Sequence, residues 1–468
     1  MDELTLETAT ALAKKIRAGE SSPLTVAEAF LSRIERLNPG LNAVVTLAPT
    51  LLDDARQAEA ALKGGLALGP LHGVPFTVKD TIATAGVCTT SGSLLRSDYV
   101  PNQDAPAVAR MKAAGAILLG KTNTAEMAME YTADNPVFGR TNNPHDPART
   151  PGGSSGGEAA AIASTMSPLG LGSDLAGSIR IPAHFCGITG FRPATASVPG
   201  GGQMPPATGP YSLGSAIGPL ARTIEDLELA FNVLAAIDPG PGDHPASPGL
   251  RIAFYTDDGI SPVTSETRAA VKAAAVALAE AGFEVEEQRP PGVERALDLW
   301  LSLFSRASVV FLRQMYSGNE EKAGSFIRWR LNTADAKPPQ SVDDYIGSWL
   351  ERDRLRANLI EWMKDRLLLA PVGACPALEH DSLKVIVNGE AINAFRAFSY
   401  SQAFNAFDLP AVTVPAGRSN EGLPIGVQVV GRPGDEKLIF AAAKVIENAC
   451  GGWQRPAFDH TNLEITTN

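Results

Sequence analysis

Glycine and serine crowd into one stretch of this chain. It reads Pro151-Gly-Gly-Ser154-Ser155-Gly-Gly-Glu158 and, after a run of small apolar residues, Gly172-Ser-Asp174-Leu-Ala-Gly177-Ser178-Ile-Arg180-Ile-Pro. A serine hydroxyl is a weak nucleophile that needs a base within hydrogen-bond reach. Lysine serves as that base only when neutral, and burial favours the neutral amine, lowering its pKa by up to about 3–5 units when the group is fully enclosed. Lys79 ends the apolar run Gly73-Val-Pro-Phe-Thr-Val, a setting that suits a desolvated amine. Its structural alternative is an ion pair with Asp80 or another carboxylate. Ser155 and Glu158 also fit an S-x-x-E capping box, so part of the segment reads as a helix start. The flanking glycines exceed what a cap requires, and glycine carries an entropic cost. They predict a backbone path that side chains would block.

Three motif matches compete with this reading; context rejects the first and third and leaves the second only a weak competitor. Gly115-Ala-Ile-Leu-Leu-Gly120-Lys121-Thr122 has the spacing of a P-loop, but a helical pattern precedes it. Its middle residues are strand-like and cannot turn N–H groups toward a phosphate. Gly153-Ser154-Ser155-Gly156-Gly157 fits GxSxG, an elbow that needs a strand running into the serine; turn residues from Asn142 to Pro151 precede it instead. The histidines that follow, His184, His244, His380 and His460, sit in no context that marks a base. Gly170-Leu-Gly172 reads as a glycine-rich turn after a strand, but Pro182 and Gly187 oppose the long helix of a dinucleotide site.

The elements that must position these groups follow from periodicity. Residues 5–17 and 24–37 read as amphipathic helices, the second carrying Val26, Phe30, Ile34 and Leu37 on one face. Strands are expected near 42–47, 73–79 and 117–119, with helices at 105–114 and 156–165. This β/α alternation predicts an α/β fold: one large α/β/α sandwich whose mixed, mostly parallel central sheet is flanked by helices. Helices fill about 1–60, a core about 60–235, and a Pro/Gly-rich junction about 238–250. A second lobe begins with a strand at Arg251 and a helix over 263–281. Its helical stretch 295–365 holds Trp300, Trp329, Trp349 and Trp362 and is a candidate roof over a pocket, with ordinary core packing of these aromatic residues as the alternative. Late strands at 411–415 and 425–431 and a helix at 436–448 close the chain.

The 468 residues, 44% of them hydrophobic, suffice for a large core, and the net charge of -11 argues against a polyanion partner. Cys88, Cys186, Cys375 and Cys450 show no zinc or CxxC spacing and read as reduced thiols. The start lacks a basic region followed by an apolar one, and no run of 18 apolar residues occurs. We therefore expect a cytoplasmic monomer or homodimer with no nucleic acid and no membrane as partner.

The chain resembles the amidase signature enzymes along nearly its whole length. The parts in register are GVPFTVKD around Lys79, GKTNTAEMA at 120–128, GGSSGGEAAA, GSDLAGSIRIPA, GITGFRP, LPAVTVPAG and GLPIGVQVVGRPGDE. The resemblance implies a hydrolase of linear amides that uses neither metal nor cofactor, with Ser178 as nucleophile. Ser154 would be the bridge to Lys79, following a cis Gly153–Ser154 bond. Backbone N–H groups of Leu175, Ala176, Gly177 and Ser178 would hold the oxyanion, with Asp174 and Arg180 as scaffold. Ala176 departs from the family, which has glycine there; alanine would be strained if that position required positive φ. Met127, Met129 and Tyr131 match a segment that lines the acyl site in relatives, and ordinary core packing is an equal alternative for the two methionines. The expected substrate is a small, apolar or aryl carboxamide. A carbamate presents the same carbonyl and is an alternative. The glutaminase component of a tRNA-dependent amidotransferase is another, though such proteins usually carry Gln where this chain has Ile181.

Overall fold

The computed structural model describes residues 2–238, 250–334, 340–456 and 458. The expected junction lies almost entirely outside them, as do His244 and His460. Thirteen strands appear among the described residues: β1 Val44–Leu47, β2 Pro75–Lys79, β3 Ile117–Thr122, β4 Leu169–Asp174, β5 Thr189–Arg192, β6 Ala216–Ala221, β7 Arg251–Phe254, β8 Glu284–Glu287, β9 Arg366–Pro371, β10 Lys384–Val387, β11 Glu390–Asn393, β12 Ala411–Arg418 and β13 Pro424–Val430. Eleven form one sheet in the order β1-β3-β2-β4-β6-β5-β12-β13-β9-β7-β8, and β10 and β11 pair as a separate hairpin.

The expected mixed α/β sandwich is the fold observed. Parallel pairing holds in two blocks, β3-β2-β4 and β9-β7-β8. Between them, from β4 through β6, β5, β12 and β13 to β9, each pair is antiparallel, as is edge strand β1 with β3. The β12–β13 step is a hairpin, which only antiparallel strands can form.

Side-chain alternation along the strands separates the two faces. Phe76, Val78, Leu169, Leu171, Val412, Val414, Val427 and Val429 point into the largest core cluster, with apolar residues of helices Ile224–Ala235, Ser265–Glu280 and Glu436–Cys450. Phe191, Phe231 and Phe440 meet there with ring centroids 4.8–5.9 Å apart. The opposite face carries helices Gly156–Ala163, Arg180–Cys186 and Ser399–Ala406, and there the strands present polar side chains such as Thr77, Lys79 and Gln428. All three are buried.

Two local expectations are corrected. The helix expected over 5–17 is two helices, Asp2–Leu6 and Ala9–Arg17. The Thr8 hydroxyl caps the second, and the Asp226 carboxylate takes its first amides, Ala9 N–H at 2.9 Å and Thr10 N–H at 2.8 Å. Gly170 and Gly172 lie inside β4 rather than after a strand. Gly120, Lys121 and Thr122 are strand residues of β3, as the rejection of a P-loop requires.

Candidate active site

Lys79 is the last residue of β2 and is fully buried. Its Nζ donates to Ser154 Oγ at 2.7 Å and to Ser173 Oγ at 3.0 Å. Burial lowers its pKa to about 7, against the opposing pull of Asp174 and Glu158. Asp80, the alternative partner, turns elsewhere: its carboxylate accepts from the Thr90 N–H and hydroxyl, with Lys121 as the nearby cation. Ser173 escaped the sequence reading; only its place in the Gly-Ser-Asp run hinted at it.

Ser154 follows a cis Gly153–Ser154 peptide. The Ser155 N–H donates to the Ser178 carbonyl at 3.2 Å, tying the serine pair to the second serine turn. Ser178 is 7% exposed, and its hydroxyl has no hydrogen bond among the described residues, to Ser154 or to any other group. The capping box is not formed. Ser155 lends no side chain to the helix start. Glu158 reaches across the sheet, accepting from Thr77 Oγ1 and, at 2.7 Å, from Thr122 Oγ1. Burial raises the Glu158 carboxyl to about 7, opposed by those two hydroxyls and by Lys121 and Lys79. The cross-sheet acceptor role is stronger than a cap could be because both threonines are buried and would otherwise lack a partner.

Asp174 shapes the turn before Ser178. It accepts from the Gly177 N–H at 2.8 Å and the Ile179 N–H at 3.1 Å. Arg180 Nε donates to its Oδ2 and Nη2 to its Oδ1, both at 3.1 Å. Burial alone would push the Asp174 carboxyl up, but the Arg180 guanidinium overcomes it and holds the group well below the usual carboxylate range, with Arg192 and Asn405 assisting. Helix Ser399–Ala406 supplies Asn405, bonded to Asp174 at 2.9 Å, and β13 supplies Gln428, bonded to Arg180 at 2.9 Å. That short helix was not foreseen. Its polar residues are buried, so no amphipathic pattern marks it.

The turn itself differs from expectation in one donor. Gly177, at φ +104, spends its N–H on Asp174. The N–H groups of Leu175, Ala176 and Ser178 have no partner among the described residues. Ala176 is not among the residues with positive φ, so the departure from glycine creates no backbone strain. Tyr131 reaches this turn, its hydroxyl donating to the Ala176 carbonyl at 2.8 Å. Met127 and Met129 pack with Leu312, Tyr316 and Ile327 of the helical stretch, the core-packing alternative for the two methionines. That stretch also lays Trp300, Leu303 and Phe304 against Ala176 and Leu175.

Of the histidines that follow the serine pair, the two described ones, His184 and His380, take structural roles. The His184 ring is buried, with Nδ1 accepting from the Gly426 N–H and Nε2 bonded to the Cys375 carbonyl at 3.0 Å; burial lowers its pKa to about 4. His380 bonds the Pro147 carbonyl.

The amidase family model matches residues 25–440. The chain belongs to the amidase family. It is an amide hydrolase, and the motifs that suggested the resemblance are the ones that build this site. It is 33% identical to the fatty-acid amide hydrolase 2-A of Danio rerio, over 97% of this chain and 90% of that protein. It is 31% identical to the indoleacetamide hydrolase of Bradyrhizobium diazoefficiens, over 94% and 86%, and 35% identical to a glutamyl-tRNA(Gln) amidotransferase component of Thermus thermophilus, over 94% and 97%. A bacterial aryl acylamidase of the amidase signature family superposes with a TM-score of 0.82 at 28% identity, covering 95% of this chain and 96% of that one. No helix among the described residues is long and apolar enough to cross a membrane.

Proposed function

We propose that this amidase cleaves the C–N bond of small apolar or aryl carboxamides through an acyl-Ser178 intermediate, with Ser154 and Lys79 as its proton relay. The observation that carries this reading is the buried Lys79 amine, 2.7 Å from Ser154 Oγ and lowered to about 7. A neutral amine accepts the Ser154 proton as Ser154 takes that of Ser178. Ser178 Oγ then attacks the carbonyl carbon. The oxyanion that forms is stabilised by backbone N–H groups of the turn. As it collapses, Ser154 returns a proton to the departing amine. Water then attacks the ester carbonyl as the same relay removes its proton, and the second tetrahedral intermediate collapses by breaking the acyl–Ser178 bond, the relay returning the proton to Ser178 Oγ as the acid leaves.

The side chains around the turn favour an apolar acyl or aryl group. Tyr131 stacks on Phe395 at 5.5 Å, and Trp300 packs on Phe395 at 5.2 Å and on Phe304 at 6.0 Å. Ile181 is buried among Phe185, Val372 and Phe398 and offers no polar group to a glutamine side chain. A panel of anilides, primary amides, glutamine and aryl carbamates, run beside Ser178→Ala, tests the reading. Anilides and aryl-substituted amides should turn over, Ser178→Ala should be inactive, and rapid quenching should trap an acyl group on Ser178. Undiminished turnover by Ser178→Ala would sink the mechanism. Turnover of glutamine alone, or a clear preference for carbamates, would overturn the substrate class.

A further inference from the structure

Two consecutive peptide units between the end of β4 and Ser178 are gripped by their carbonyls from outside the turn. Trp300 Nε1 donates to the Leu175 carbonyl at 2.8 Å. The Tyr131 hydroxyl donates to the Ala176 carbonyl at 2.8 Å and in turn accepts from Gln402 Nε2 at 2.8 Å. Both units are trans. In a planar trans peptide the C=O and N–H point to opposite sides. Holding the Leu175 carbonyl therefore fixes the direction of the Ala176 N–H, and holding the Ala176 carbonyl fixes that of the Gly177 N–H. The Gly177 N–H ends on Asp174 Oδ1 at 2.8 Å. The Ala176 N–H, equally fixed, has no partner among the described residues.

We propose that Trp300 is a positioning residue that aims the Ala176 N–H as an oxyanion donor, and that Tyr131 is one that holds the next peptide unit, keeping the Gly177 N–H on Asp174 and out of the oxyanion site. A buried Trp or Tyr seeks some acceptor in any protein. Here both acceptors are consecutive carbonyls of the turn that precedes Ser178. The rings are fixed independently of those bonds: Phe395 lies against both, and Phe304 packs on Trp300. An oxyanion donor is effective when it is already oriented before charge develops; the Trp300 bond supplies that orientation to the Ala176 N–H, and the Tyr131 bond keeps the following unit turned to Asp174. Trp300 comes from the helical stretch, immediately before a wider π-type turn at Leu301–Ser305, a feature frequent at functional sites. The stretch thus acts on the chemistry through a hydrogen bond as well as by covering the site.

The positioning role rests on Ser178 being the nucleophile. The test uses the full-length enzyme and an anilide that the parent hydrolyses. Trp300→Phe and Tyr131→Phe keep aromatic rings and remove the donors. Each should lower kcat by about tenfold or more while KM stays within about twofold. The inhibition constant of an aryl trifluoromethyl ketone, which adds to Ser178 as a tetrahedral oxyanion, should rise by the same factor as kcat falls. A purely structural role would not tie kcat to the ketone in this way. Unchanged kcat and ketone affinity, or a loss confined to KM, overturns the proposal. If Trp300→Phe does not fold, Tyr131→Phe decides by the same criterion. Fluorophosphonate labelling of the parent separates the two failures. No label on Ser178 removes the nucleophile assignment, whereas a labelled parent with unaffected variants removes only the positioning role.

Discussion

A lysine enclosed by protein either finds a carboxylate or gives up its proton. Among the described residues Lys79 bonds two hydroxyls and, at 3.5 Å, the Ser173 carbonyl, but no carboxylate, and burial lowers it from 10.5 to about 7. Activity that needs the neutral amine should therefore rise with pH, with kcat/KM climbing at unit slope below about 7 and levelling above it; a pH–rate profile of the parent checks this. Stability has a matching sign. Between about 7 and 10.5 the unfolded chain binds the proton that the folded one lacks, so this group's cost to folding is full below about pH 7 and fades as pH rises. Lys79→Met should lose nearly all activity, yet resist urea at pH 6.5 at least as well as the parent.

Between elements, contact distance decides. A Cβ at Gly153 would lie 2.0 Å from the Thr132 carbonyl oxygen and 2.4 Å from its N, both backbone atoms that cannot step aside. Gly153→Ala should therefore part the serine turn from the Tyr131–Thr132 segment, destabilising by about 1–3 kcal/mol and abolishing labelling of Ser178. Gly201→Ala, whose Cβ meets only Pro106 at 3.6 Å, should change neither the melting temperature nor the labelling. This crowding was legible in advance, because paired glycines on both sides of Ser154 foretold a path closed to side chains. The strands were legible too: Phe76 and Val78 alternate with Thr77 and Lys79, and the hydroxyl and amine mark the site face. What stayed hidden depended on partners distant in the chain. Nothing near Glu158 announces that Thr77 and Thr122 will outbid the helix N-terminus for its carboxylate. Nothing near Trp300 announces that its N–H will end on Leu175.

Across the whole molecule, one sheet runs through both halves of the chain, and β5 pairs with β12 at the seam. Arg192, fully buried, crosses it to Asp408 at 2.7 Å and to the Leu409 carbonyl at 2.8 Å. Burial would raise the Asp408 carboxyl, but Arg192 and Thr195 hold it below its usual 3.8. Its stabilisation is therefore full above about pH 4 and is lost as pH falls through the lowered value. Asp408→Ala would leave a buried guanidinium without its counter-charge and should cost about 3–5 kcal/mol, read from urea unfolding at neutral pH. The same division by halves governs the site. Lys79, Ser154 and Ser178 lie in the first half of the sequence, whereas Trp300, Asn405 and Gln428, which grip the turn before Ser178 and its Asp174–Arg180 anchor, lie beyond residue 299. A nascent chain emerging from the ribosome thus carries all three proposed reacting groups long before the segments that hold their turn exist, and on this proposal synthesis of those later segments arms the enzyme.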